Sequence, residues 1–155
     1  MKFIAIIFLL FLSYHTTAQP DNSEFTQKVL KSNVIGKKIT SGVWNEKGDT
    51  ETNLTYLGAV KVKNGKTYKI MNSIWTWGIS GRVTNRILIF NDRNQYLGNY
   101  PITDSENLPI ALKKRYLIFK NNTGSIFKVY LGNGIPEKLY QKNTTEFNYI
   151  SDFQR

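Results

Sequence analysis

The chain has 155 residues, of which 41% are hydrophobic and 14% aromatic; 21 Lys and Arg against 11 Asp and Glu give a formal net charge of +10. This composition predicts a folded globular chain rather than a disordered one. Cysteine is absent, so disulfides, thiol nucleophiles and metal sites built on thiolates are excluded.

The first eighteen residues predict a secretory signal peptide. Lys2 precedes an unbroken apolar run from Phe3 to Leu12, and small residues at Thr16 and Ala18 precede the expected cleavage. The run is shorter than the ~20 apolar residues that a transmembrane helix needs. We therefore expect residues 1–18 to be removed and residues 19–155 to form one domain. That domain would be exported to the periplasm or the medium, with no transmembrane segment.

Removal of the signal peptide also changes the chemistry that is available. It takes away Lys2 and the single histidine, His15, so the mature net charge is 20 − 11 = +9. A chain without His and Cys lacks the usual general base, the usual soft nucleophile and the common transition-metal ligands. We therefore predict a protein that is not an enzyme, with no catalytic residue, metal or cofactor.

The predicted elements begin with one short helix. Apolar residues recur at helical spacing between Phe25 and Leu30, after Asp21 or Ser23 as the N-cap. From Lys38 onward, short runs of β-branched and aromatic residues alternate with Gly, Asn, Asp and Pro, which is typical of strands and turns. The predicted fold class is all-β: an antiparallel meander of about eight strands, forming a small barrel or a two-layer sandwich.

The clearest hairpin is centred on Asn64-Gly65, and two later hairpins are predicted around residues 91–94 and 121–124. Asn-Gly favours a two-residue type I′ turn, which would set Lys63 opposite Lys66. In that register Lys61, Lys63, Lys66 and Tyr68 share the solvent face. The opposite, core face would hold Tyr56, Val60, Val62, Met71, Trp75 and Trp77.

The lysines at this hairpin form the first group of candidate binding residues. Lys61, Lys63 and Lys66 would attract nucleic acid, an anionic polysaccharide or an acidic protein in a salt-dependent way. Lys37-Lys38 and the run from Lys113 to Arg115 add to the positive charge. The alternative interpretation is that lysines at hairpin tips maintain solubility and prevent edge pairing.

The segment from Ile74 to Arg86 is the second candidate, because it combines tryptophans, arginines and an asparagine. Aromatic faces stack on sugar rings or bases, while Arg and Asn supply directional hydrogen bonds. We expect Trp75 in the core and Trp77 nearer the surface. The candidate binding residues of this segment are Trp77, Arg82, Asn85 and Arg86.

Two pairs of carboxylates leave a hydrolase open as an alternative. Asp49 with Glu51, and Asp104 with Glu106, have the spacing at which general acid and base would act on a glycoside. Both pairs lie in predicted polar loops, where solvent would leave the two groups of each pair alike. Calcium binding through Asp104, Glu106 and Asn107 fits the second pair somewhat better than catalysis does, although the loop lacks the ligand spacing and the glycine of an EF-hand.

The sequence thus predicts an exported, monomeric, non-enzymatic binding module whose basic surface engages an anionic polymer or an acidic protein. The alternatives are an inhibitor or immunity-type protein, and a hydrolase that uses Asp and Glu alone. An Asp and a Glu together in a concave site would favour the hydrolase. Trp and Arg in such a site would favour the binding module.

Overall fold

The computed structural model describes residues 23–120, 123–141, 145–148 and 150–151, so the predicted signal peptide lies outside the described residues. The predicted helix is confirmed as α1, Glu24–Ser32. Ser23 is its N-cap, because its Oγ accepts a hydrogen bond from the Thr26 amide at 3.2 Å. Asn33 ends the helix in the left-handed conformation, with φ 53°.

The remainder of the described chain is mostly antiparallel strand, as predicted. Its eleven strands are β1 Lys38–Gly42, β2 Glu51–Lys61, β3 Thr67–Trp77, β4 Arg82–Asn91, β5 Tyr96–Ile102, β6 Ala111–Lys113, β7 Tyr116–Lys120, β8 Ile126–Tyr130, β9 Lys138–Gln141, β10 Thr145–Asn148 and β11 Ile150–Ser151. They form a six-stranded sheet in the order β1-β2-β3-β4-β5-β11, a three-stranded sheet β6-β7-β8 and the pair β9-β10. The number exceeds about eight because short strands such as β1, β6 and β11 add to the predicted set.

The large sheet and the three-stranded sheet pack face to face, so the sandwich is the correct one of the two predicted architectures. Ile70, Ile87 and Ile89 project from the large sheet into a shared core, and Leu117 and Phe119 project from the opposite side. All five side chains are almost completely buried. Sheets that pack in this way bury their inner faces without closing into a barrel.

The opposite face of the large sheet is covered in part by α1. Val29 and Leu30 of the helix pack on Tyr56, Met71 and Leu88 in a second apolar cluster. Burial raises the pKa of the Tyr56 hydroxyl above its ordinary value. The helix covers only one end of this face, and the end toward Trp77 lies beyond it.

The predicted turn at Asn64-Gly65 is wrong in type. The Val62 amide donates to the Lys66 carbonyl at 3.0 Å, and the Gly65 amide donates to the Val62 carbonyl at 3.0 Å, so the loop has three residues. Only Gly65 has a positive φ, 86°, which is the pattern of a type I turn followed by a bulge. Lys66 is therefore opposite Val62, not Lys63.

The predicted exposure of Lys61, Lys63 and Lys66 and the predicted burial of Tyr56, Val60, Val62 and Met71 are confirmed, but the assignment of the buried residues to one face of the hairpin is wrong. A β-bulge between Tyr56 and Gly58 shifts the register, and a one-residue shift moves later side chains to the other face. Val60 consequently belongs to the core between the sheets, whereas Tyr56 and Met71 face α1. Tyr68 is opposite Val60 and packs against the inter-sheet core rather than standing with the lysines.

No helix among the described residues is both long enough and apolar enough to cross a membrane.

Candidate binding surfaces

The lysine hairpin tip, which comprises Lys61, Lys63 and Lys66, is exposed to solvent. Two backbone hydrogen bonds connect it to the three-stranded sheet. The Lys63 amide donates to the Gly132 carbonyl at 2.8 Å, and the Leu131 amide donates to the Arg115 carbonyl at 2.8 Å. The tip therefore lies at the same end of the molecule as the basic run from Lys113 to Arg115, which is some fifty residues away in the sequence.

The turn between β6 and β7 exposes this second basic run. Lys113 pairs with Tyr116, so Lys114 and Arg115 form a two-residue turn. Both have positive φ, 49° and 68°, although neither is glycine. The type I′ geometry that was predicted at Asn64-Gly65 is thus found here. For residues other than glycine, the left-handed conformation costs roughly 1–2 kcal/mol of free energy each.

A cleft of about 520 Å³ lies beside this turn. It is lined by Lys113, Lys114, Tyr116, Ile118 and Lys128. Sequence reasoning named the first two only as part of a basic run, and it missed Tyr116 and Lys128. The sequence signal for these two residues is the period of two along β7 and β8. Every second side chain faces the same side of the sheet, so Tyr116 and Lys128 share a face.

The tryptophan face is the part of the large sheet beyond α1 that carries Trp75, Trp77, Arg82 and Arg86. The two indole rings are stacked, with centroids 5.4 Å apart and planes 19° apart. The Arg82 guanidinium carbon lies 5.3 Å from the Trp77 ring centroid, a cation–π contact. Trp77 Nε1 donates to Thr84 Oγ1 at 3.0 Å, which holds the ring against β4.

Trp75 is only partly buried, so both tryptophans belong to a sheet surface and not to the core. Arg86 shares their face because it pairs with Ser73, two residues before Trp75 on β3. Trp44 supports the adjacent turn: its Nε1 donates to the Gly78 carbonyl at 2.8 Å. This residue was not among the predicted candidates.

Asn85, the remaining candidate of the segment, lies on the opposite face of the sheet. It is 5% exposed, and its Nδ2 donates to the Thr103 carbonyl at 3.3 Å while its Oδ1 has no hydrogen-bond partner. Asn85 lines a cavity of about 380 Å³ together with Asp104 and Glu106. An acidic cavity and the tryptophan face are therefore on opposite sides of β4.

The candidate residues do not form one continuous site. The lysine hairpin tip lies at the start of β3, and Trp77 lies at the end of the same strand. Because β3 has 11 residues, it spans about 36 Å, and this length separates the two groups of candidates. Of the two carboxylate pairs, Asp104 and Glu106 share a cavity, whereas Asp49 and Glu51 each accept a hydrogen bond from a nearby asparagine. Among the described residues, no three His, Cys, Asp or Glu side chains are grouped to hold a metal ion.

The chain matches no protein-family model, and comparisons with curated proteins and with solved structures give no significant match.

Proposed function

We propose that this protein is an exported, non-enzymatic binding module that engages an anionic polymer through its basic end. The basic end comprises the lysine hairpin tip and the β6–β7 turn with its neighbour Lys128. The observation that carries the proposal is the backbone connection from Lys63 through Gly132 and Leu131 to Arg115. It brings together charges that are far apart in the sequence.

Clustered, exposed cations favour a polyanion for a physical reason. A polyanion holds condensed counterions, and each bound lysine or arginine releases some of them into solution. Affinity therefore grows with the number of cations that reach the polymer at once. The basic end presents Lys61, Lys63 and Lys66 beside Lys114 and Arg115, all of them exposed.

The tryptophan face supports a second, more specific contact within the same function. Its stacked rings offer an aromatic surface, and Arg82 and Arg86 carry guanidinium groups that match planar anions by shape as well as charge. An acidic protein remains the alternative partner for both surfaces. In that case the module acts as an inhibitor or immunity-type protein.

Hydrolysis by two carboxylates is the second candidate function, and the shared cavity of Asp104 and Glu106 favours it. Both carboxylates are exposed, however, and a general acid needs an environment unlike that of its partner. Binding therefore takes precedence. Release of reducing ends from a polysaccharide by the wild-type protein, abolished by Glu106→Gln, would establish the hydrolase instead.

Heparin binding as a function of salt tests the proposed function. We expect the mature protein to bind heparin, with log affinity falling linearly against log salt. Changing Lys61, Lys63 and Lys66 together to Gln removes three charges from the basic end. The slope should become shallower by up to about one unit for each lysine that contacts the polymer.

The matched control changes Lys28, Lys31 and Lys47 to Gln. It removes the same charge from α1 and the β1–β2 loop, and the slope should stay close to that of the wild type. Arg82→Gln with Arg86→Gln should affect heparin less than the hairpin-tip variant does. A wild-type protein that ignores heparin at low salt, or equal slopes for the two lysine variants, would contradict the proposal.

A further inference from the structure

The outer face of the three-stranded sheet is the surface of β6–β8 that points away from the large sheet. Side chains alternate along these strands: Leu117, Phe119 and Val129 point inward to the core, and their neighbours point outward. Apart from Gly132 beside the Tyr130 ring, the outward residues of this face are open to solvent along its whole length. They are Lys113, Tyr116, Ile118, Lys120, Ile126, Lys128 and Tyr130, of which all but the half-buried Ile118 are exposed.

Two tyrosines form the aromatic part of this face. Tyr116 and Tyr130 are directly opposite each other on β7 and β8, with ring centroids 5.0 Å apart and planes 49° apart. Their side chains are 39% and 38% exposed, so both rings are open to a ligand. Gly132 lies against the Tyr130 ring, where a Cβ would collide with it.

The face has a firm support underneath. Phe119 and Phe127 stack on its inner side, with centroids 4.6 Å apart and planes 11° apart. Because Phe119 is 2% exposed, the middle strand is fixed to the core. A platform fixed in this way loses little conformational entropy when a ligand stacks on it.

Positive charges surround the two rings. Lys113 pairs with Tyr116 across β6–β7, and Lys128 pairs with Ile118 across β7–β8, so a lysine lies on each side of Tyr116. Lys113, Lys114 and Lys128 line the cleft of about 520 Å³ together with Tyr116. The face therefore offers flat aromatic surface with cations at its margins.

We infer that the outer face of the three-stranded sheet binds single-stranded nucleic acid. Bases stack on Tyr116 and Tyr130, while Lys113, Lys120 and Lys128 contact the phosphates. This combination of an aromatic platform and a basic track is what single strands require, since every base has a π-face. The inference rests on the proposed function and specifies the polymer that the basic end recognises.

Two features favour a single strand over other anionic polymers. A duplex keeps its bases stacked inside, so the tyrosine rings would have nothing to stack on. An acidic glycan can also stack its sugar rings on tyrosine, but it presents hydroxyl groups as well, for which Asp, Glu, Asn and Gln side chains supply directional hydrogen bonds. None of the outward residues named above on β6, β7 and β8 is of those types.

Fluorescence anisotropy with two labelled 12-mers tests the inference. One is oligothymidine and the other is an abasic oligomer with the same number of phosphates. We expect the wild-type protein to bind oligothymidine about tenfold or more tightly, because stacking on two rings is lost with the abasic chain. Tyr116→Leu with Tyr130→Leu should remove this preference, and Tyr116→Phe with Tyr130→Phe should retain it.

The outcomes separate this inference from the proposed function. Equal affinity for the two oligomers, with heparin binding intact, overturns nucleic-acid recognition and leaves the proposed function standing. Tighter binding of duplex than of single-stranded DNA overturns it as well. Failure to bind heparin and both oligomers at low salt overturns both proposals. Should the double Leu variant fail to fold, the single variants Tyr116→Leu and Tyr130→Leu take its place; each should weaken the preference for oligothymidine, and an unchanged preference in both would overturn the inference.

Discussion

At the residue scale, Gly65 shows how backbone conformation alone can require one amino acid. Its φ is 86°, and a Cβ built at this position would have no atom within 4 Å. There is room for a side chain, but the left-handed conformation excludes a β-branched one. The requirement for glycine is therefore local and independent of packing.

Gly65→Val should lower the free energy of unfolding by about 1–2 kcal/mol. The physical reason is strain at positive φ, since no collision occurs. Urea unfolding monitored by circular dichroism measures the change. Lys63→Val is the matched control, because it places the same side chain in the same loop at a residue without positive φ. Equal effects of the two substitutions would show that strain at Gly65 is unimportant.

At the scale of the element, the β6–β7 hairpin keeps two residues in an unfavourable conformation. Lys114 and Arg115 have φ of 49° and 68°. Asn-Gly is the residue pair most often found in a two-residue turn with two positive φ angles. Backbone strain of this kind is often found at functional sites. Here the same two residues contribute two of the cations of the basic end.

Replacing Lys114 by Asn and Arg115 by Gly should stabilise the protein and weaken its binding at the same time. Relief of strain should raise the free energy of unfolding by about 1 kcal/mol. Loss of two cations should lower heparin affinity and make its salt dependence shallower. Urea unfolding and heparin binding measure the two effects.

Lys113→Gln serves as the comparison for this hairpin. It removes one charge from the same end but leaves the turn conformation unchanged, so it should weaken binding with little effect on stability. If the Asn-Gly variant bound heparin as tightly as the wild type, the turn would have no part in binding. If it were less stable, the positive φ angles would not be a source of strain.

At the scale of the whole molecule, the proposed export of this cysteine-free chain requires a core that is stable without disulfides. A chain of this size buries roughly two thirds of its unfolded surface, which is enough for one stable core. The two apolar clusters, one between the sheets and one beneath α1, supply it. We therefore expect the mature chain to fold without covalent cross-links.

Cleavage after Ala18 is the prediction at this scale. The apolar run before it and the small residues at Thr16 and Ala18 match a secretory signal. Intact-mass measurement of the protein recovered from the periplasm or the medium should correspond to residues 19–155. A recovered protein that still carries residues 3–12 would contradict export by this route. Replacing Ala18 with Arg should block cleavage and leave a longer chain.

The sequence by itself determined the elements, because their signals are local. The cap at Ser23, the alternation along the strands and the punctuation by Gly and Asn specify one helix and an antiparallel sheet. The exposure of Lys61, Lys63 and Lys66 followed from the same local pattern. Each of these features depends on residues that are close together in the chain.

Only the tertiary structure decided how the elements combine. The bulge between Tyr56 and Gly58 moved part of a hairpin to the other face of the sheet. Gly58, which has φ 122°, is the local signal for a bulge, but a lone glycine in a strand does not specify how the register changes. Packing of two sheets, rather than closure, selected the sandwich. The same packing decided that the face of β4 that carries Asn85 is turned away from the tryptophans and toward the inter-sheet side. The contact that joins Lys63 to Arg115 through Gly132 spans distant parts of the chain. Such contacts depend on the energy of the whole fold, which local patterns do not contain.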